Sequence, residues 1–204
     1  MMTIIDYGLG NIRAFANVYN KLNISVSIAR TTEDVERASK LILPGVGSFD
    51  YAMRRLNESG MRGILDEVVL NRKVAILGIC VGMQMLCCSS EEGELPGLGW
   101  IDAEVKKFEL SSFAYPGCVP HMGWNDIRPL RRNSLFNGLD DNLQFYFLHS
   151  YYIHCNKNEN SVAVADHERE FTCAINSENI FGVQFHPEKS HQWGIQLLKN
   201  FAEL

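Results

Sequence analysis

The stretch VAILGICVGMQML, residues 74–86, sets Cys80 at the end of an apolar run and flanks it with Gly78 and Gly82. Such a run, followed by Gly-Ile-Cys-Val-Gly, is typical of a buried parallel strand that ends in a tight turn and leads into a helix. This is the pattern of a nucleophile elbow, in which glycines allow the sharp turn that exposes the nucleophile above the sheet edge. The stretch therefore predicts Cys80 as a nucleophile. A small buried core cysteine is the alternative that this stretch alone leaves open.

Outward from this stretch, the N-terminal half alternates strand and helix patterns. Strands are predicted at TIIDY, ISVSIAR, KLILPG and VAILGI, and helices at NIRAFANVYNKL, from Thr32, and over about 49–72. Thr31 and Asp34 give the helix from Thr32 a capping-box signature. The alternation predicts an α/β fold, a three-layer sandwich around a mostly parallel sheet, with its active site beyond the carboxyl ends of the strands. Cys80 lies at such an end.

The pattern of residues changes after Trp100. Short β-rich segments are separated by Gly, Asn, Pro and Ser, and they read IDAEVKKF, WNDIRPL, FYFLHSYYIH, SVAVADH, FTCAINS and IFGVQFH. These segments predict a smaller β-rich extension with mixed or antiparallel strands. A last helix is predicted over about 192–203. Because no repeat or linker interrupts the chain, residues 1–204 are expected to form a single domain.

Composition excludes several classes of function. A net charge of -5 and the absence of a basic stripe argue against nucleic-acid binding, and no apolar run approaches the ~18 residues of a membrane span. The start MMTIIDYGLGN has no basic segment before its apolar run, so it is interpreted as a first strand and not a signal peptide. Six cysteines without a C-x-x-C pair indicate a reducing cytoplasm, with no metal site. No cofactor is expected either, because the glycines at 8 and 10 lack the third glycine of a dinucleotide loop.

A useful thiol nucleophile needs a base, and the stretch GVQFHPEKS supplies a candidate. His186 ends an apolar strand and Glu188 follows two residues later, so in extended backbone both side chains would project to one side. A carboxylate so placed can orient one imidazole nitrogen while the other faces a thiol. A surface histidine and a solvated glutamate are the alternatives for each residue taken alone.

The stretches GICVGMQ and GVQFHPEKS together resemble the class I glutamine amidotransferase family, whose catalytic residues are Cys, His and Glu in this order. IIDYGLGN, LILPGVGSFDYAM, PHMGWN and FLHSYY extend the resemblance over the whole chain to the glutaminase subunits of imidazole glycerol phosphate synthases. The resemblance implies hydrolysis of L-glutamine to L-glutamate and ammonia. It also implies a (β/α)8 cyclase subunit as the partner, which uses the ammonia to form imidazole glycerol phosphate and AICAR in L-histidine biosynthesis.

The resemblance also implies roles for individual residues. The helix N-terminus at Val81 can supply one backbone donor to an oxyanion, and the family's oxyanion strand corresponds to the segment that contains Val46 and Gly47. By the same resemblance, the catalytic residues are Cys80, His186 and Glu188. It assigns substrate binding to Gln84, Glu92, Ser150 and Tyr151. It assigns contact with the partner to Asn11, His121, Met122, Trp124 and Lys189. A core tryptophan is the alternative for Trp124.

The sequence departs from the family pattern at Ala14, Cys118 and residues 166–168. These departures leave open a paralogue that supplies ammonia for amidination of bacterial surface sugars. A cysteine hydrolase or deglycase of the same architecture is a further alternative, against which Gln84 and the His-Pro-Glu triplet argue. A catalytically silent scaffold would have no reason to keep the nucleophile, the base, the orienting carboxylate and the oxyanion glycines together.

Overall fold

The computed structural model describes residues 1–109, 119–139 and 142–204, so Cys118 lies outside the described part of the chain. The N-terminal elements follow the predicted alternation. They are β1 (Met2–Ile5), α1 (Ile12–Lys21), β2 (Val26–Ala29), α2 (Thr32–Glu36), β3 (Lys40–Gly45), α3 (Phe49–Glu58), α4 (Arg62–Asp66), β4 (Ala75–Cys80), α5 (Val81–Met85) and β5 (Ser89–Ser90).

Two details of this half refine the prediction. The capping box is present, since the Thr31 side chain accepts from the Asp34 amide and the Asp34 carboxylate accepts from the Thr31 amide. The helix predicted over 49–72 is broken at Gly60, whose φ of 75° ends α3. The segment after this glycine forms α4 and then a π-helical turn over Glu67–Asn71.

The second half is rich in strands, as predicted. Its elements are β6 (Ala103–Lys107), β7 (His121–Pro129), β8 (Gln144–His149), β9 (Tyr151–Cys155), β10 (Ser161–Asp166), β11 (Glu170–Ser177), β12 (Ile180–Val183) and α6 (His191–Glu203). The run FYFLHSYYIH is divided at Ser150 into β8 and β9. Because β8 pairs with β7 while β9 pairs with β6 and β11, the chain changes strand partners at this residue.

The described strands form one mixed sheet in the order β2-β1-β3-β4-β12-β11-β10-β7-β8, to which β9, β6 and β5 are attached. The pairs from β2 to β12 are parallel, and those from β12 to β8 are antiparallel. Gly45 pairs with Cys80, and Val183 pairs with Ile79. The carboxyl ends of β3, β4 and β12 therefore meet at one edge of the sheet.

The apolar side chains of β3 and β4 are almost completely buried, as expected for parallel strands covered on both faces. The helices pack in separate groups, with α1 against α6 and α3 against α5. This arrangement agrees with the predicted α/β sandwich. In the described part of the chain, no helix is both long enough and apolar enough to cross a bilayer.

Candidate active site

The turn between β4 and α5 has the backbone of a nucleophile elbow. Cys80 has φ 55° and ψ -116°, a strained conformation for a residue with a side chain. Close packing explains the glycines around it, because a Cβ at Gly82 would collide with the carbonyl of Leu43 and one at Gly45 with the amide of Gly82. The strain and the glycines together fix Cys80 in the lining of a cavity, and the residue is only 5% exposed.

His186 lies beyond the end of β12 and is fixed by backbone and side-chain contacts. Its amide donates to the carbonyl of Tyr146 at 2.8 Å, and its own carbonyl accepts from Ser190 Oγ at 2.6 Å. The backbone after His186 is not extended as the sequence predicted. Pro187–Lys189 forms a 3₁₀ turn, and this turn brings Glu188 Oε1 to 3.0 Å from His186 Nδ1.

The pKa of His186 reflects two opposing effects. Burial lowers it, but hydrogen bonds to the Cys80 and Glu188 side chains outweigh burial and raise the pKa of His186 to about 9. The imidazole therefore keeps its proton more readily than a free histidine does, between the Cys80 sulfur and the Glu188 carboxylate. This is the electrostatic setting that stabilises a thiolate. The arrangement can pass a proton between the sulfur and the imidazole while the carboxylate holds the ring.

Gln184 is a site residue that the sequence analysis missed. It is completely buried, and its Nε2 lies 3.7 Å from Cys80 Sγ while its Oε1 accepts from Gln84 Nε2 at 3.0 Å. Gln84 was expected at the substrate, with an exposed helix residue as the alternative. At 3% exposure the exposed-helix alternative is wrong, and Gln84 lines the cavity while bonded to Gln184, so its contact with substrate stays a prediction. A polar amide within the apolar run Gly-Val-Gln-Phe was the signal that could have identified Gln184.

The thiol opens into a cavity of about 300 Å³. All residues expected at the oxyanion and at the substrate line this cavity, and they are Val46, Gly47, Val81, Gln84, Glu92, Ser150 and Tyr151. Glu92 is anchored because its Oε2 accepts from the Phe49 amide at 2.8 Å, at the N-terminus of α3. Pro120, Leu148, His149 and Lys189 also line the cavity. The elements that build it thus come from both halves of the chain.

The residues expected at a partner interface separate into two sets. Met122 and Trp124 are 61% and 44% exposed, so the core alternative for Trp124 is wrong. Asn11 and Lys189 are also exposed. His121 is only 5% exposed and is hydrogen-bonded within the chain, so its expected role as a direct contact is wrong. The alternation of β7 explains the difference, because neighbouring residues of a strand face opposite sides.

Comparison with known proteins places this geometry in context. The sequence profile described as glutamine amidotransferase class-I matches residues 3–204. A protein from Bdellovibrio bacteriovorus named imidazole glycerol phosphate synthase subunit HisH is 54% identical over the whole of both chains. A protein of the same name from Leptospira interrogans is 50% identical over the same extent.

Solved structures agree on the fold. One described as a glutamine amidotransferase aligns with a TM-score of 0.76 at 20% identity, covering 99% of this chain and 97% of the other. The structure of PurLQS from Thermotoga maritima aligns with a TM-score of 0.70 at 16% identity, covering 99% and 97%. These similarities extend over nearly the entire chain.

Proposed function

The chain belongs to the class I glutamine amidotransferase family, and from this premise we propose that it is the glutaminase subunit of an imidazole glycerol phosphate synthase. It hydrolyses L-glutamine to L-glutamate and ammonia and delivers the ammonia to a (β/α)8 cyclase subunit. The observation that carries the proposal is the elbow of Cys80 beside a carboxylate-bound His186, both of which line a cavity of about 300 Å³. The names of the relatives favour this function over the surface-sugar paralogue.

The reaction follows from the proton held by His186. The Cys80 thiolate attacks the carboxamide carbon of glutamine, and the C–N bond breaks as His186 protonates the departing ammonia. This leaves a thioester on Cys80. The imidazole, now neutral, takes a proton from water, whose oxygen attacks the thioester and releases glutamate with the sulfur restored. Glu188 keeps the ring aligned throughout.

Backbone groups around the cavity stabilise the transition state and bind the substrate. The tetrahedral intermediate carries a negative oxygen, for which the Val81 amide and the Val46–Gly47 segment are the proposed donors. Gln84, Glu92, Ser150 and Tyr151 are the proposed contacts of the amino-acid head group. The Gly47 φ of 85° is accessible to a residue without a Cβ, so this segment can reorient at little steric cost.

An exposed apolar face on β7 and β8, which includes the cavity-lining Leu148, is the proposed docking surface for the cyclase. Met122 and Leu148 pair across β7 and β8, as do Trp124 and Tyr146. Trp124 also contacts the rings of His191 and Trp193. Exposed aromatic and Met side chains beside a site are typical of interface anchors. Docking there would close the mouth and shield ammonia from protonation in bulk water.

The function is tested by separating the two half-reactions. With the cyclase and its own substrate present, the wild-type pair should form product from glutamine, and Cys80→Ala should abolish this. The same variant should still support product formation when ammonium salts replace glutamine at high pH. Product from glutamine with Cys80→Ala, or none from the wild-type pair, would overturn the proposal.

The docking surface is tested by titrating glutamate release against cyclase concentration. Trp124→Ala should weaken docking by ~2 kcal/mol or more, because a central aromatic anchor is lost. Leu130→Ala is the matched control, since Leu130 is equally exposed at 44% but follows the far end of β7. A folded Trp124→Ala protein with an unchanged titration curve would remove this face from the interface.

The proposed cytoplasmic location rests on the cysteines. Cys80, Cys87, Cys88, Cys155 and Cys173, the five in the described part of the chain, are free thiols. Free thiols persist in a reducing compartment.

A further inference from the structure

Three side chains and two backbone carbonyls form a continuous line of four hydrogen bonds behind one wall of the cavity. The Tyr151 carbonyl lies 2.7 Å from His149 Nδ1, and His149 Nε2 lies 2.9 Å from His121 Nδ1. His121 Nε2 in turn lies 3.1 Å from Asn125 Nδ2, which also lies 2.7 Å from the Asp166 carbonyl. The line therefore begins and ends on backbone carbonyls.

The two carbonyls determine the direction of every hydrogen bond between them. Carbonyls only accept and an amide nitrogen only donates, so His149 donates from Nδ1 to Tyr151 and Asn125 donates to Asp166 and to His121 Nε2. Because His121 Nε2 accepts, His121 donates from Nδ1, and His149 Nε2 is the acceptor of that bond. The Asn125 amide can serve both acceptors because its two N–H groups point to His121 and to Asp166. Both imidazoles are thus neutral, with the proton on Nδ1.

Breaking this line of hydrogen bonds would cost free energy because its surroundings are buried and largely apolar. His121 and His149 are 5% and 6% exposed, and the rings of Phe147 and Phe171 contact both. An unpaired polar group is strongly unfavourable in such surroundings. The pKa values agree with the neutral forms, since burial and then His167 lower the pKa of His121 to about 4, and burial and then His121 lower that of His149 to about 3.

The line ends at the wall of the cavity where the chain changes strand partners. His149, Ser150 and Tyr151 line the cavity, and Ser150 separates β8 from β9. We propose that His149, supported by His121, is a positioning residue that holds the backbone of Tyr151 in the orientation that binds the amino-acid head group of glutamine. This inference rests on the proposed function and adds to it one residue, His149, that acts on substrate affinity.

Two substitutions of His149 separate its two hydrogen bonds. An asparagine amide nitrogen can take the place of Nδ1 and keep the bond to the Tyr151 carbonyl, whereas a glutamine amide reaches the place of Nε2 and loses that bond. His149→Gln should raise KM for glutamine ~10-fold with kcat within about threefold, in the presence of saturating cyclase. His149→Asn should keep KM within about threefold of wild type. His154→Gln, at an exposed position of β9, is the matched control and should match wild type.

A second readout distinguishes positioning from general damage to the fold. Alkylation of Cys80 by iodoacetamide needs no head-group binding, so its rate should be the same in both His149 variants and in wild type. Inactivation by an electrophilic glutamine analogue should need ~10-fold more reagent for half-maximal rate in His149→Gln only. The inference is overturned if the Asn and Gln variants behave alike, or if kcat falls as much as KM rises. A wild-type protein that neither hydrolyses glutamine nor reacts with the analogue would instead overturn the proposed function.

Discussion

Two buried histidines line the cavity on different elements of the fold, and their pKa values are shifted in opposite directions. His186 and His149 are 4% and 6% exposed, so burial is nearly the same for both. The pKa of His186 is raised to about 9, whereas the pKa of His149 is lowered to about 3. The difference arises from their partners. His186 meets a carboxylate and a thiol, while His149 meets a carbonyl and another imidazole.

This contrast shows that one cavity can contain both a proton available for transfer and protons fixed in hydrogen bonds. The wall built by the ends of β4 and β12 carries a proton that can move, because the carboxylate of Glu188 compensates the imidazolium charge. The wall at the junction of β8 and β9 carries protons that cannot move without breaking a hydrogen bond to a backbone carbonyl. The first wall suits proton transfer, and the second suits substrate binding.

The largest expected effect tests whether the two walls differ in role. His186→Asn should lower kcat for glutamine hydrolysis ~10²–10⁴-fold, because His186 is the proposed general acid–base group. His149→Asn serves as the comparison, since the same substitution on the other wall should leave kcat within about threefold. The measurement is kcat at saturating glutamine and cyclase. Equal loss in both variants would remove the distinction between the walls.

A smaller effect tests the origin of the raised pKa. Glu188→Gln replaces the carboxylate by an amide of the same shape, so the pKa of His186 should fall by ~1–3 units. Glu188 Oε2 is buried and has no hydrogen-bond partner among the described residues, so little else should rearrange. An NMR titration of the His186 imidazole gives the value. An unchanged pKa would mean that Glu188 does not determine the protonation state.

The smallest expected effect concerns stability against pH. The folded pKa values of His121 and His149 lie below the ordinary value of 6.5, so the unfolded chain binds more protons below pH 6.5 and stability falls as pH decreases. Each histidine lowers the free energy of unfolding by up to ~1.4 kcal/mol per pH unit as the pH falls from 6 to 4. His186 has the opposite sign. Its contribution is complete below pH 6.5 and is lost as pH rises through about 9.

Urea unfolding at pH 7, 6 and 5 measures this dependence. The double variant His121→Asn, His149→Asn should lose stability less steeply with falling pH than wild type, even if it is less stable at pH 7. His154→Asn should keep the wild-type slope, because its side chain is exposed. Parallel curves for the double variant and wild type would show that these two histidines are not kept neutral by the fold.

The sequence predicted the proposed catalytic wall better than the proposed substrate-binding wall. Cys80 with its glycines and the His-Pro-Glu triplet are short local patterns whose chemistry is readable from residue type and spacing. The line of hydrogen bonds from Asn125 to Tyr151 depends on the strand register that places His121 opposite His149. These two residues are 28 positions apart, and neither strand alone encodes the register between them. The resemblance assigned His121 to the partner interface, but strand alternation turns its side chain inward. The break at Ser150 was missed for a similar reason, since the change of strand partner is a tertiary event.

The most direct test of the account is the protonation state of the imidazoles in the folded protein at pH 7.5. Nitrogen-15 NMR of histidine-labelled protein, assigned with the His186→Asn and His149→Asn variants, reports the proton on each ring nitrogen. The account predicts that both nitrogens of His186 are protonated, while His149 and His121 are neutral with the proton on Nδ1. A neutral His186, or a proton on Nε2 of His149, would contradict it.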